Sequence, residues 1–426
     1  MLSRDHIAET AATFTGTEKF RIAQAAIAKV DAPSILIEPT RLAAMASPHF
    51  SHTLADELKA TSQGSSGRCW IFAALNVLRY DLAKTHSLPA DFELSQTFVY
   101  FYDKLERVNY FLEQCIALKD EAVDSRLFQH ILTSPLGDGG QWDMLANVVA
   151  KYGVVPKSAF GETFTTKASR RMNRTLTARL RGWACALREG DKDAGELRRL
   201  KEQYLEEAQT ILMIHLGTPP ASFDWSFTPK KAATKKKTTT TEASGDAAEK
   251  PTPKHKPFVR HRGLTPLGFL ETFCSGAASM LSKVSLVHDP RNPYFTAFTV
   301  SQLGNVVGGR DILYLNVPIA VLKNAAAAML RKGEPVWFGC DVAKDLARQE
   351  GVMDTEMWRE ELVYGSTTTM SKVDRLRFGQ SLMVRHNTRE RGREFHVSHF
   401  THLTPLPLPP LYKTHAMVFT GFDEDE

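Results

Sequence analysis

The feature that most constrains the fold is a polar turn that leads directly into a long apolar run. Residues 63–67 (QGSSG) are polar or small, and the apolar stretch 69–75 (CWIFAAL) follows. This order predicts a buried helix over residues 66–84, with Gly67 and the serines before it as its entry and N-cap. Unpaired N–H groups at a helix start favour a negatively charged sulfur, and Arg68 adds positive charge nearby. Cys69 is therefore a candidate nucleophile.

The rest of the pattern predicts helices first and strands later. Helices are predicted over residues 94–114, 141–152, 194–216 and 320–332, and a glycine follows three of them within one or two residues. Strands are predicted over residues 335–342 and 416–419. This order predicts an α+β protein with a helical lobe that carries Cys69 and a β-rich lobe that carries His415.

Cysteine usage and hydropathy limit the class of protein. The five cysteines (69, 115, 185, 274 and 340) are widely scattered, which suits neither a disulfide framework nor a zinc site. We therefore expect a reducing compartment, and neither a metal nor another cofactor. The sequence has neither a secretory signal pattern nor a stretch of about 20 apolar residues that would cross a membrane. These observations predict a cytoplasmic protein without membrane contact.

The net charge of +5 is concentrated in two irregular segments, and the rest of the chain is net acidic. Residues 230–257 are lysine-rich and contain no apolar side chain larger than alanine, which predicts a disordered loop. Residues 384–413 are rich in arginine, histidine and proline and are predicted to be an extended or disordered insert. The tract Lys235 to Lys237 could bind nucleic acid weakly, although a solvated linker is the simpler interpretation. His396, His399 and His402 lack convincing partner ligands, so a metal site is not predicted.

A cysteine peptidase needs a thiolate, a histidine beside it and donors for the developing oxyanion. Gln63 lies six residues before Cys69, so its side-chain amide could donate together with the backbone N–H of Cys69. His415 precedes an apolar stretch and could be the base, or only a histidine at a strand edge. The other four cysteines are interpreted as small buried side chains.

Runs along most of the chain resemble the bleomycin hydrolase family, a branch of the papain superfamily. They are residues 65–72 (SSGRCWIF), 138–144 (DGGQWDM), 152–156 (YGVVP), 307–310 (VGGR), 336–342 (VWFGCDV) and 414–420 (THAMVFT). The resemblance implies a two-lobed papain-like fold with helical insertions. It also implies a cysteine aminopeptidase that acts on peptides and bleomycin-like amides. Family members form six-fold homo-oligomers, and some bind nucleic acid.

The resemblance also assigns roles to individual residues. Cys69 matches the nucleophile, His415 the base and Gln63 the oxyanion-hole glutamine. Gly139 and Gly140 match the glycines along which a substrate backbone lies. The implied division of the chain is an N-terminal extension (1–60), a helical lobe with a helical insertion (61–229) and the basic loop (230–257). The remainder of the insertion and the start of the β lobe (258–383), the atypical insert (384–413) and the strand with the catalytic histidine (414–426) follow.

In two respects the sequence departs from the family pattern. The family carries an asparagine after the histidine to orient its ring, and a C-terminal arm in the cleft that restricts cleavage to N-terminal residues; neither is recognised after His415 in this sequence. The family also joins residues 383 and 414 directly, so the segment between them resembles translated intron sequence, which transcript sequencing would test. These departures predict little or no peptidase activity in this chain. The alternative to an aminopeptidase is a catalytically inactive form, or a non-catalytic oligomeric or nucleic-acid-binding protein. Turnover of an unblocked peptidyl-coumarin comparable to that of a full-length relative would contradict this prediction.

Overall fold

The structure is a computed structural model that describes residues 3–45, 50–56, 58–230, 258–340, 346–347, 351–354, 357–364, 404–406 and 415–422. The predicted loop 230–257, apart from Lys230, lies outside these ranges. So does the insert 384–413, apart from Thr404–Leu406, and with it the three histidines considered as metal ligands. The predictions for these two segments and for the domain boundaries stay predictions.

The chain is helical over most of its first half. The helices are α1 (Arg4–Gly16), α2 (Glu18–Ile27), α3 (Ala32–Leu36), α4 (Pro39–Met45), α5 (Cys69–Thr85), α6 (Gln96–Ala117), α7 (Arg126–Thr133), α8 (Trp142–Tyr152), α9 (Phe164–Lys167), α10 (Arg170–Arg188), α11 (Ala194–Leu216), α12 (Pro266–Phe273), α13 (Ala277–Leu281), α14 (Ile319–Arg331) and α15 (Glu360–Tyr364). None of those in the described part of the chain is long and apolar enough to cross a membrane.

Most strands follow α11. They are β1 (His52–Thr53), β2 (Phe223–Phe227), β3 (Val259–Leu264), β4 (Ser285–Val287), β5 (Thr296–Val300), β6 (Tyr314–Asn316), β7 (Val336–Cys340), β8 (Leu346–Ala347), β9 (Val352–Met353), β10 (Thr404–Leu406), β11 (His415–Phe419) and β12 (Gly421–Phe422). One sheet has the order β10-β5-β6-β4, and the remaining strands pair as β1 with β12, β2 with β3, β7 with β11 and β8 with β9. The mixture of segregated helices and strands confirms the predicted α+β class.

Helix α5 lies at the centre of the main hydrophobic core. It is apolar on nearly all sides, and its side chains from Trp70 to Leu75 are all buried. Such a helix must be covered on every face. Helices α6 and α8 cover part of it, strands β7 and β11 cover another part, and α10 and α11 pack behind α6. The sequence run that most constrained the fold is therefore the centre of the molecule.

Strands β7 and β11 form an antiparallel pair that rests on α5. Their register joins His415 to Cys340 at one end and Phe419 to Val336 at the other. Ala416 and Val418 pack against the core that contains α5. The next strand along the chain, β12, pairs with β1, so the segment that follows His415 is tied to the N-terminal part of the chain.

The predicted elements agree closely with the structure where local signals were strong. The 194–216 helix is confirmed at both ends, because Asp193 caps its first turn and Gly217 ends it with φ 88°. The helix predicted over 141–152 begins at Trp142 and ends before Gly153, whose φ is 75°. The strand predicted over 416–419 begins one residue earlier, at His415.

The predicted start of the first helix was wrong. Residues 66–68 precede the helix, which begins at Cys69 with Arg68 in the N-cap position. Ser66 does not cap it, because the Ser66 hydroxyl donates to the carbonyl of Gln63 and accepts from Nε of Arg68. The N–H of Gly67 instead donates to a carboxylate oxygen of Asp138, 3.3 Å away. A distant side chain, rather than a local serine, therefore holds the entry to α5.

Candidate active site

The first turn of α5 presents its sulfur beside unpaired backbone donors. Cys69 is the first residue of the helix and is partly exposed. The N–H groups of Ile71 and Phe72 donate to the carbonyl of Arg68, at 3.0 and 3.1 Å. Those of Cys69 and Trp70 have no acceptor among the described residues. The helix dipole and these free donors favour negative charge at this position.

Arg68 does not supply free positive charge to the thiol, contrary to the expectation from sequence. Its side chain is fully buried and forms a two-pronged ion pair with Glu162, with N–O distances of 2.8 and 3.2 Å. The guanidinium also lies over the rings of Phe72 and Tyr100. The pair holds the pKa of Glu162 below its usual range, because the hydrogen bonds and charge of Arg68 outweigh the burial that would raise it. Arg68 therefore anchors the turn, and Glu162 neutralises its charge.

Asp138 connects the turn at residues 63–68, which precedes Cys69 and is called the nucleophile turn, to the rest of the helical lobe. Its carboxylate accepts hydrogen bonds from five groups, and its backbone carbonyl accepts one from Nε1 of Trp70 at 2.7 Å. The five donors are Gly67 N–H, Tyr100 hydroxyl, Lys104 ammonium, Ser169 hydroxyl and Asn173 amide. Burial alone would raise the pKa of Asp138, but Lys104 and the other donors hold it well below its usual range. Asp138 is thus an anion at neutral pH.

Sequence reasoning missed this role of Asp138. The residue belongs to the run 138–144, which was interpreted only through its two glycines. Its main ionic partner, Lys104, is fully buried in α6, and no local pattern announces a buried ion pair between residues that far apart. Gly67 shows how tightly the two segments fit, because a β-carbon on it would lie 2.7 Å from Cβ of Asp138.

Gln63 lies in the turn that precedes Cys69. Its side-chain Oε1 is buried without a hydrogen-bond partner in the described part of the chain. Its backbone carbonyl accepts a hydrogen bond from the Ser66 hydroxyl at 2.8 Å, which closes the turn on itself. The Gln63 side chain is therefore held in the turn that leads to α5, with its amide oxygen unpaired among the described residues.

Gly139 and Gly140 follow Asp138 directly, and the structure separates their roles. A β-carbon on Gly140 would lie 2.6 Å from the Trp70 ring, whereas one on Gly139 would meet nothing within 4 Å. Gly139 is exposed, and its carbonyl accepts a hydrogen bond from Arg107 at 2.7 Å. Arg107 is itself held by an ion pair with Asp103 at 2.8 Å. Gly140 is thus needed for packing against Trp70, and Gly139 forms an open, anchored surface.

We expect Gly140→Ala to destabilise the protein, because its β-carbon must displace the buried Trp70 ring. Overpacking of this kind costs about 1–3 kcal/mol, which would appear as a lower midpoint of thermal unfolding. Gly139→Ala is the matched control, since open space surrounds its added methyl. Equal midpoints for the two variants would contradict the proposed role of Gly140.

His415 is the first residue of β11, the strand that packs against α5. Cys69 and His415 therefore begin two elements in direct contact, although 345 residues separate them in the sequence. On the partner strand, the indole N–H of Trp337 donates to the carbonyl of Trp70, 3.3 Å away. This bond fixes the strand pair beside the first turn of α5. The His415 side chain lies outside the described part of the structure.

The other four cysteines differ clearly from Cys69. Cys115 and Cys274 are buried, and burial raises the pKa of each thiol to about 12. Cys340 is buried as well, which agrees with the prediction. Cys185 is exposed, so its predicted burial was wrong; it lies on the outer face of α10. All five are free thiols, and no cluster of metal-ligating side chains occurs among the described residues.

Comparison with known proteins identifies the family. The sequence model of the Peptidase C1-like family matches residues 1–244 and 252–388. The chain belongs to this family. It is a cysteine peptidase, as predicted from the sequence.

Curated relatives confirm the predicted branch of the Peptidase C1-like family. Bleomycin hydrolase of Gallus gallus is 41% identical over 344 residues, covering 79% of this chain and 70% of the relative. Aminopeptidase C of Listeria monocytogenes is 40% identical over 339 residues, with the same coverage of 79% and 70%. Cysteine proteinase 1, mitochondrial, of Saccharomyces cerevisiae is 34% identical over 370 residues, covering 85% of this chain and 71% of the relative.

A solved structure confirms the fold. PepW of Lactobacillus rhamnosis superposes with a TM-score of 0.83 at 31% identity, over 99% of this chain and 83% of the other. The resemblance to bleomycin hydrolase and the papain-like α+β fold are therefore both confirmed.

Proposed function

We propose that this chain is a cysteine aminopeptidase of the bleomycin hydrolase type, with Cys69 as nucleophile and His415 as general base and acid. The Cys69 sulfur attacks the carbonyl carbon of the first peptide bond, and His415 passes the proton to the departing amine as the C–N bond breaks. Water then hydrolyses the thioester with His415 as base, which returns the free thiol. The observation that carries the proposal is the contact between the helix that begins at Cys69 and the strand that begins at His415.

The direction in which strands β7 and β11 run along α5 supports a position of His415 close to Cys69. Val336 and Phe419, at one end of the β7–β11 ladder, pack in a small cluster with Tyr80 from the second half of α5. His415 lies four residues from Phe419, or about 13 Å at the usual rise of a strand. The ladder contacts the Trp70 carbonyl between these points. His415 is thus expected at the end of the ladder nearer to Cys69.

Gln63 supports the oxyanion site. Its side-chain NH₂ group is the first donor we assign, because Gln63 lies in the turn that immediately precedes Cys69. The unpaired N–H of Cys69 is the second donor we assign. Two such donors aimed at the carbonyl oxygen stabilise the charge that develops in the transition state.

Peptides are the proposed substrates, and the relatives' names support bleomycin-like amides as well. Gly139, exposed and without side-chain bulk, is the surface along which we place the peptide backbone. Gly140 continues this surface, although its own close contact is with Trp70. No cofactor is proposed, because the thiol–imidazole pair needs none.

An assay with matched fluorogenic substrates tests the proposal. Purified protein is given an aminoacyl-coumarin with a free amino group and the same compound with the amino group acetylated. The departures from the family pattern predict a low absolute rate, below that of a full-length relative. Within that rate, the proposal expects release of coumarin from the free amine and much slower release from the acetylated form. Equal rates would contradict aminopeptidase specificity. Absence of turnover together with slow labelling of Cys69 by iodoacetamide would contradict the peptidase proposal itself.

We further propose a homo-oligomer, six-fold by resemblance to the family, in a cytoplasmic setting. Helices α1 and α2 contain no buried residue, yet they expose Ile7 and Ile22, which favours burial against another subunit. The five free thiols favour a reducing compartment. A monomer mass by light scattering would contradict the oligomer. Weak nucleic-acid binding stays a prediction tied to Lys235–Lys237.

A further inference from the structure

A strongly basic surface lies where α9 turns into α10. Four cations within eight residues form it, and we call them the basic corner: Lys167, Arg170, Arg171 and Arg174. All four are exposed. Helix α10 buries Met172 and Leu176 from the same turns, so the arginines lie on the outward side of the helix.

The basic corner is not neutralised within the described part of the chain. None of its four cations forms an ion pair there. The two carboxylates nearest in the network are already used, Glu162 by Arg68 and Asp138 by Lys104. Like charges within one helical turn repel each other, and cations at a helix N-terminus oppose the helix dipole. This repulsion destabilises the protein when nothing is bound at the basic corner, and a bound anion would relieve it.

The basic corner is attached directly to the nucleophile turn. The carbonyl of Lys167 accepts a hydrogen bond from Ser65 at 2.9 Å, and a β-carbon on Gly64 would touch Lys167 at 3.1 Å. Gly64 precedes Cys69 by five residues, which span at most about 17 Å. Within α10, the Asn173 side chain donates a hydrogen bond to Asp138, the residue before Gly139 and Gly140. The basic corner is therefore joined to the turn that leads to Cys69.

We propose that the basic corner binds acidic side chains of peptide substrates, so that the enzyme favours peptides with Asp or Glu within about five residues of the scissile bond. This inference rests on the proposed function and specifies its substrate class. The attraction between exposed charges is modest for each pair but adds over several pairs, and it weakens as salt screens it. Charge complementarity beside the cleft is the property that selects such peptides over neutral ones.

The test compares two unblocked fluorogenic peptides that differ only by Glu or Gln at residues two to five. We expect a KM roughly tenfold lower for the Glu peptide at low salt, the size that several exposed pairs supply together. The triple variant Arg170→Gln, Arg171→Gln, Arg174→Gln should remove this difference and leave the KM of the Gln peptide unchanged. Raising the salt concentration should also reduce the difference.

Arg198 and Arg199 provide the control variant. They are exposed near the start of α11, 16 or more residues before His215, which contacts Thr165 beside the basic corner. That spacing is about 24 Å along a helix. Replacing both by Gln changes net charge without touching the basic corner and should keep the preference. A preference lost equally in both variants would overturn the inference in favour of a general charge effect.

A binding measurement keeps the inference separate from catalysis. Fluorescence anisotropy of the labelled Glu peptide is measured with the Cys69→Ala protein, with and without the three Arg→Gln changes. Tighter binding to the protein that keeps its arginines supports the inference even if turnover is absent. Equal binding of Glu and Gln peptides overturns it while leaving the proposed function intact. The inference is also overturned if neither peptide binds and a DNA oligonucleotide binds tightly at the same arginines.

Discussion

Replacing Cys69 by alanine abolishes hydrolysis of aminoacyl-coumarin substrates. The reason is that the sulfur forms the only covalent bond to the substrate in the proposed mechanism. Removing a nucleophile that works with a histidine costs on the order of 10⁶-fold in kcat, so we expect turnover to fall to background. The fold should survive, because Cys69 is partly exposed at the start of α5 and the buried residues of that helix begin at Trp70.

The matched control is Cys185→Ala, which removes an exposed thiol from the outer face of α10. Its activity should equal that of the unchanged protein. Thiol labelling gives a second measure that does not require turnover. Iodoacetamide should modify Cys69 first at neutral pH, because burial raises the pKa of the thiols of Cys115 and Cys274 to about 12 and hides them from the reagent. Modification of Cys185 ahead of Cys69 would contradict an activated sulfur at position 69.

His415→Ala distinguishes a working pair from an isolated thiol. If the imidazole supports the thiolate, labelling of Cys69 by iodoacetamide at neutral pH should be slower in this variant than in the unchanged protein. Equal labelling rates for the two proteins would show that His415 does not act on Cys69.

Among the variants proposed, Asp138→Asn has the largest expected loss of stability. All five groups around the carboxylate donate hydrogen bonds, so an amide in its place turns an NH₂ group toward donors. The change also leaves the fully buried Lys104 without its counter-ion. Breaking one side of a buried ion pair typically costs about 3–5 kcal/mol, which thermal unfolding would register. Asp120→Asn, at an exposed aspartate, is the control that should leave the unfolding midpoint unchanged.

The same variant should lose activity for a positional reason. The Asp138 carboxylate holds the N–H of Gly67, two residues before Cys69. The Trp70 indole donates to the Asp138 backbone carbonyl, so that bond survives the substitution. Adding Lys104→Met to Asp138→Asn removes the unpaired charge and should restore part of the stability. Activity should stay low in the double variant, because Gly67 is still released. Recovery of activity along with stability would show that Asp138 only stabilises the fold.

The pH dependence of this stabilisation has a definite sign. The folded-state pKa of Asp138 lies below its unfolded value near 3.9, so the ionised carboxylate stabilises the folded protein above that pH. The stabilisation declines as the pH falls through and below about 4. The gap in unfolding midpoint between the unchanged protein and Asp138→Asn should therefore narrow in acid. A gap that stays constant down to pH 3 would contradict the assignment.

Local sequence signals predicted the elements that depend on neighbouring residues. The helix at 194–216 was predicted to the residue, because its N-cap aspartate and terminal glycine act over one turn. The strand at 416–419 and the central apolar helix were also predicted, since periodicity and glycine placement are properties of short segments, although the strand begins at His415 and the helix at Cys69. The motif runs also predicted the family, which the sequence comparison confirmed.

Tertiary structure decided how the entry to α5 is held and where charge is used. The sequence offered Ser66 as a cap and Arg68 as a cation for the thiol. The fold instead assigns the Gly67 N–H to Asp138 and the Arg68 guanidinium to Glu162, residues 71 and 94 positions away. Side-chain hydrogen bonds between distant segments depend on how helices pack, which no local pattern encodes. The sequence by itself therefore determined the candidate nucleophile, its helix and its family. Only packing decided which buried ions hold that helix, because a buried charge must find its partner in space rather than along the chain.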